Sequence, residues 1–313
     1  MCRLMKAIGG LAVGMMLLSA CAVVSAQEGG ITWARAQEML RKGKGMSRDP
    51  LLAGPVEEPE AYGAEANPTG EPIGGGPGYS RIVTKGDYTV GNAKDLLAAL
   101  NRAKAGQVVY VKPDAKIELS GQAQIRVPDG VTLAGNRGQD GAVGPLLFVK
   151  EPHERIKYGL IVLGERARFT GLRLVGPDPD YDEYTQAQKD AAYQASARAM
   201  RIGDESEVDN CEISNFYREG IGVKNARAVV RHNYLHDIAA YPVLVAGRPG
   251  SEALVEANII HWGWHAIAGT GEVGTGYEAR YNIFRPHKIA PPFGTGVSHC
   301  LDQHADRGVM RAA

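Results

Sequence analysis

Seven of the eight histidines in this chain fall after residue 231, at His232, His236, His261, His265, His287, His299 and His304. Four groups stand out: His265, His299, Asp302 and His304. In extended backbone, residues two apart face the same way, so Asp302 and His304 point together, and a return of the chain would bring His265 to them. An aspartate with two or three histidines can hold a divalent metal, or it can orient one imidazole as a general base. The plainer reading is a hydrogen-bonded network that closes a turn of the chain and turns nothing over. His236 and His261 occupy one position of a repeat, with Ser214 before and Arg285 after. Stacked, the four would form a polar stripe for a sugar chain. Lys224 and Arg248, 24 residues apart, form a further candidate pair. Asp178, Asp180, Asp182 and Glu183 offer oxygens to Ca²⁺, although acidic loops are commonly only solvated.

The repeat that must position these groups lies between residues 207 and 285. The apolar residues ending successive copies are Ile213, Leu235, Ile260 and Phe284, spaced 22, 25 and 24 apart. Five residues earlier stand Val208, Val230, Val255 and Ala279, and two before each end stand Cys211, Asn233, Asn258 and Asn282. Phe169, Gly171 and Leu174 form an earlier copy, displaced by an insertion. Each copy is short, punctuated by glycine and rich in β-branched residues, with no helical period. Units that cannot bury their own apolar face must stack. The pattern predicts an all-β fold, a right-handed parallel β-helix with coils about 4.8 Å apart. Its Val/Ile/Leu columns become internal ladders. The asparagines occupy a turn, bond from coil to coil and take the left-handed backbone. Asp209, Arg231, Glu256 and Arg280 alternate in sign down one column, as a surface salt-bridge ladder would.

The flanking segments follow. Residues 3–26 carry Arg3 and Lys6, an apolar run from Ala7 to Leu18 and then small residues, the pattern of a signal peptide. Val24-Ser25-Ala26 suits cleavage before Gln27, and Leu18-Ser19-Ala20-Cys21 suits a lipobox that would leave a lipidated Cys21. The run is too short for a stable membrane-spanning helix. The expected location is therefore secreted or periplasmic, with a lipoprotein anchor as the other route. Removing this segment takes two cations and no acid from 35 basic and 35 acidic residues, and the near-neutral remainder argues against nucleic acid as a partner. Cys211 and Cys300 would lie about four coils, or about 19 Å, apart, too far for a disulfide.

Residues 27–80 read as a short amphipathic helix (31–43) followed by a Pro/Gly-rich tether or extended strap. Residues 81–313 form the β-helix, here expected to be monomeric, with a helical insertion at about 176–198. Asn92 to Lys104 is the clearest helix: Asn92 caps it, Leu96, Leu97, Leu100 and Ala103 share a face, and Gly106 stops it. It is placed to cover the open end of the solenoid core. Strands are expected at 108–111, 117–119, 125–127, 131–134, 146–149 and 160–163. Either the tail after Phe293 folds over the last coil, or this reading frame is shorter than its relatives.

From Thr89 to Gly138 the capping helix, then VVYVKPDAKIEL and IRVPDGVTLAGNRG, resembles the opening of secreted pectate-lyase-like β-helix proteins. HAIAGTGEVGTGYEARYNIF at 265–284 and SHCLDQH at 298–304 are similar to a motif pair in one branch of them, so the resemblance spans roughly residues 80–306. It implies the fold more strongly than a reaction, because such folds host lyases, hydrolases, uronate epimerases and adhesins. The clustered aspartates and Gly-His-Gly of the hydrolases are absent, as are the aspartate cluster and Arg-x-Pro-x-x-Arg of pectate lyases. Asp302-Gln303-His304-Ala305-Asp306 only loosely echoes the Asp-Pro-His-Asp of the epimerases. The expected function is cleavage of an acidic polysaccharide by β-elimination. His265 or His304 would be the base, Asp302 its orienting partner, His299 beside them, and Arg280 or Arg285 the charge that neutralises the uronate carboxylate. The other readings are a non-catalytic glycan-binding β-helix of the cell surface and a uronate epimerase.

Overall fold

The computed structural model describes residues 63–178, 185–224, 226–247, 249–261, 263–285, 299–305 and 307–312. The chain winds through three sheets in turn, and every strand pairing is parallel. Sheet 1 has nine strands, among them Val108–Val111, Ser206–Asp209, Arg227–Arg231, Glu252–Glu256 and Gly276–Arg280. Sheet 2, visited next, has seven, running from Lys116–Glu118 to Ile283–Arg285. Sheet 3 also has seven, from Ile125–Val127 to His299–Gln303. The next coil then adds one strand to each sheet, which makes a parallel β-helix. Among the described residues no helix is long and apolar enough to cross a membrane.

The repeat columns are the vertical neighbours of this stack. Val208, Val230, Val255 and Ala279 are in register on sheet 1, below Phe169. Leu174, Ile213, Leu235, Ile260 and Phe284 are in register on sheet 2. Their side chains run down one continuous core, most of them fully buried.

At the turn between sheets 1 and 2 the asparagines form a ladder. The side-chain oxygens of Asn233, Asn258 and Asn282 accept the backbone N–H of Cys211, Asn233 and Asn258 at 2.9, 2.9 and 3.0 Å. Their amide nitrogens donate to Val208, Val230 and Val255 carbonyls. The left-handed backbone belongs elsewhere. It falls on the residue before each ladder position, Asn210, His232, Ala257 and Tyr281, with φ of 54°, 55°, 51° and 57°. Tight turns need one such residue, and the ladder amides hold it there by fixing the next one.

The capping helix spans Ala93–Leu100, with Asn92 accepting the Asp95 N–H. It ends before Lys104 because Arg102 already turns its N–H onto Ala99, three residues back. Leu96, Ala99 and Leu100 are buried over the first coil. In the insertion, Gln186–Ala195 is helical, opened by a reciprocal Thr185–Gln188 capping box. Of the tail, the described strands His299–Gln303 and Val309–Ala312 continue the stack beyond Gly276–Arg280. Cys211 and Cys300 are free thiols.

The end of the Pro/Gly-rich segment is a strap laid across successive coils. Pro72 O meets His232 Nδ1 at 3.0 Å, Gly74 N–H donates to Ala257, Gly76 N–H to Asn210, and Tyr79 O–H to Asp209. Gly75 must be glycine, since its φ is +65° and a Cβ would stand 2.3 Å from His232 O. The strap corrects part of the expected surface salt-bridge ladder, of which the Glu256–Arg280 pair is formed at 2.7 Å. Its column is in register, but Asp209 is fully buried and is held by Arg168 and Tyr79. Arg231 turns to Glu207 instead, at 2.6 Å. The stretch 1–62, with the targeting segment and the helix at 31–43, lies outside the described residues.

Candidate functional site

One position at the start of five of the seven sheet-3 strands runs Arg198, Glu219, Tyr241, His265, His299 down successive coils. A second column runs Arg201, Gly222, Leu244, Ala268, Asp302, its three middle residues buried. The small residues of this second column give sheet 3 a shallow apolar floor. Leu244, Ala246 and Ala268 form it with Tyr241, and Trp264 packs beside them.

At the C-terminal end of the floor stands the imidazole cluster. His265 Nδ1 lies 2.7 Å from Asp302 Oδ2, and His304 Nε2 lies 2.8 Å from the same oxygen. His299 Nδ1 is 3.2 Å from His265 Nδ1 and 3.8 Å from Asp302 Oδ1. The His265 ring stacks on Tyr241 with centroids 5.7 Å apart and meets Trp264 edge-on. Its Nε2 has no hydrogen-bond partner, so the ring is fixed by Nδ1 and by aromatic packing. Tyr277 anchors the Asp302 backbone from below: its hydroxyl sits 2.9 Å from the Asp302 carbonyl and accepts the Asp302 N–H. Exposure rises outward, from 7% for the His265 side chain to 19% for Asp302, 38% for His304 and 46% for His299, so the cluster has a dry wall and an open mouth. Burial pushes His265 below its ordinary pKa against the pull of Asp302, and His299 and His304 push it further down.

The other end of the floor is cationic. Glu219 is buried and ion-paired to Arg198 at 3.0 Å and to Lys224 at 3.2 Å. Burial depresses the Lys224 amine despite Glu219, and Arg198 and Arg201 lower it further. Four coil spacings, about 19 Å, separate Arg201 from Asp302. The Arg218 guanidinium lies over the Tyr241 ring between the two ends, 5.2 Å from its centroid.

Lys224 apart, the remaining described sequence candidates lie off sheet 3. Ser214, His236, His261 and Arg285 do share a column, but it lies on sheet 2. That stripe and the imidazole cluster therefore do not share a face. Arg280 is on sheet 1, where Glu256 and Glu278 hold its guanidinium at 2.7 and 3.0 Å. Lys224 is in register with Ala246, and Arg248 lies outside the described residues. Asp178 is buried and accepts the Tyr217 N–H at 2.7 Å, and burial raises its carboxyl to about 7. Asp180 and Asp182 lie outside the described residues. Sequence reasoning missed Arg198, Arg201, Tyr241 and Trp264. Their signal was the sheet-3 column, whose copies are longer and less regular than the asparagine ladder.

The sheet-2 column carries a testable electrostatic feature. Burial alone would depress His236, but Asp237 at 2.7 Å and Glu212 at 3.6 Å raise it to about 9. A raised folded-state pKa stabilises the fold fully below the ordinary value of 6.5, and that stabilisation is lost as pH climbs from there to about 9. At most about 3 kcal/mol is involved. Urea unfolding of the parent and of His236→Gln should diverge at about pH 6 and converge by about pH 9.5. A constant difference across that range refutes the assignment.

A scan against protein-family models finds no match to this chain, and no curated protein matches it.

Proposed function

We propose that the chain is an exported polysaccharide lyase of the pectate-lyase-like kind, cleaving an acidic, uronate-containing polysaccharide by β-elimination. The observation that carries the reading is the His304–Asp302–His265 arrangement at the end of a floor whose other end is cationic. With Nε2 donating to Asp302, His304 keeps Nδ1 as its basic nitrogen, the tautomer a proton abstraction needs. His304 takes the proton from the carbon bearing the uronate carboxylate. The electron pair of that C–H bond becomes the new carbon–carbon double bond, the bond to the adjacent glycosidic oxygen breaks, and water protonates the leaving oxygen. Asp302 stabilises the imidazolium that forms. An acidic chain lying along sheet 3 reaches Lys224 three coils away and Arg201 four coils away, where they bind another of its carboxylates. The targeting segment at residues 3–26 supports export.

The test is incubation with a panel of polyuronates, following ultraviolet absorbance of the unsaturated uronate product. A rise with one polymer is expected. Binding without any product moves the chain to the glycan-binding reading, and inverted uronate stereochemistry without a double bond moves it to the epimerase reading.

A further inference from the structure

We propose that His265 Nδ1, His299 Nδ1 and the Asp302 carboxylate bind one divalent transition-metal ion, with His304 beside it. The site stands on its own geometry, and only the ion's part in turnover rests on the lyase reading. Asp302 Oδ2 at 2.7 Å and His299 Nδ1 at 3.2 Å both converge on His265 Nδ1. A ring nitrogen carries at most one proton, so one Nδ1–H cannot serve both neighbours with a straight hydrogen bond. A cation at the meeting point satisfies all three lone pairs at once.

The spacing suits one. Ligand atoms bound at about 2.0–2.2 Å in tetrahedral or octahedral array stand about 2.9–3.5 Å apart. The two ring nitrogens stand 3.2 Å apart, inside that range, while Asp302 Oδ2 is 2.7 Å from His265 Nδ1 and Oδ1 is 3.8 Å from His299 Nδ1, a little to either side of it; one ligand atom from each residue falls within 4.8 Å of the others. Two imidazoles favour a first-row transition ion over the all-oxygen shell that Ca²⁺ takes. The surroundings resemble those of a held but accessible ion. His265 forms the buried wall, His304 Nε2 steadies the carboxylate from outside, Tyr277 locks the Asp302 backbone, and exposed His299 leaves positions open to the mouth. An ion there could accept the carboxylate of the reacting uronate next to His304. That supplies the positive charge that Arg280, on sheet 1, cannot bring.

The full chain, stripped with a chelator, would be titrated calorimetrically with Zn²⁺, Mn²⁺ and Ca²⁺, and Co²⁺ absorption would report nitrogen ligation. One Zn²⁺ or Mn²⁺ per chain is expected, with Ca²⁺ at least about tenfold weaker. His299→Ala, a change at an exposed side chain, and Asp302→Asn should each weaken binding at least about tenfold. The parent and the His299→Ala variant should unfold with the same cooperativity. No uptake by the folded chain, unchanged affinity in His299→Ala, or a preference for Ca²⁺ overturns the site. Tight binding without elimination on any polyuronate leaves the site standing and removes the lyase reading. Elimination that survives complete metal removal keeps the lyase reading and removes the ion from turnover.

Discussion

Replacing Asn258 with alanine should lower stability by about 3–5 kcal/mol, although the residue touches neither candidate site. Its side chain is fully buried and makes four hydrogen bonds. The oxygen accepts the N–H of Asn233 and its side-chain amide, and the nitrogen donates to the Val230 carbonyl and to Asn282. Alanine leaves the buried Asn233 N–H without its acceptor and opens a polar hole, and each orphaned buried group costs about 1–3 kcal/mol. It also frees Ala257, whose left-handed backbone, at φ 51°, the ladder keeps in place. Asn258→Asp separates the parts: it keeps the acceptor, loses the donor and sets a carboxylate oxygen against the Val230 carbonyl, so it should cost at least as much. Asn282→Ala, at a less buried rung, should cost less. Urea unfolding reads the difference as a shift of midpoint at constant slope. An Asn258→Ala chain within about 1 kcal/mol of the parent would mean that the ladder is ornament and the apolar columns alone set the coil.

The fold was legible because the physics of stacking is written at one spacing. Val208, Val230 and Val255 pack against one another because they sit about one coil apart, and no long-range information is needed to see it. The asparagine column was legible for the same reason, but its backbone was not. The strain sits one residue earlier, at Asn210, His232, Ala257 and Tyr281, positions with no common side-chain chemistry. Asp209 looked like a surface charge because its column alternates in sign. It is buried because a strap from residues 72–81 crosses it, and a segment arriving from more than a hundred residues away leaves no period to read. The imidazole cluster was partly legible, since Asp302 and His304 are neighbours in sequence. That His265 and His299 are in register across a 34-residue gap required the fold. The two columns on sheets 2 and 3 could not be assigned to separate faces from spacing alone, because each repeats once per coil.

The sharpest functional result expected is a split between the two ends of sheet 3. His304→Ala should lower kcat by about 10²–10⁴-fold with KM little changed, because an oriented base acts in the transition state. The side chain is 38% exposed, so the fold should tolerate its loss, and thermal unfolding of the variant checks this. Arg201→Ala or Lys224→Ala should instead raise KM several-fold and leave kcat nearly intact, because cations four and three coils from Asp302, about 19 and about 14 Å, hold the polymer in ground state and transition state alike. Lys224→Ala also leaves Glu219 with Arg198 as its remaining ion partner, so Arg201→Ala is the cleaner variant. Both ends must respond for the reading to stand. A kcat unchanged in His304→Ala removes the base, whatever the polymer. A KM unchanged in Arg201→Ala, with kcat lost in His304→Ala, leaves the chemistry in place but takes the substrate off sheet 3 and onto another path to the same imidazoles.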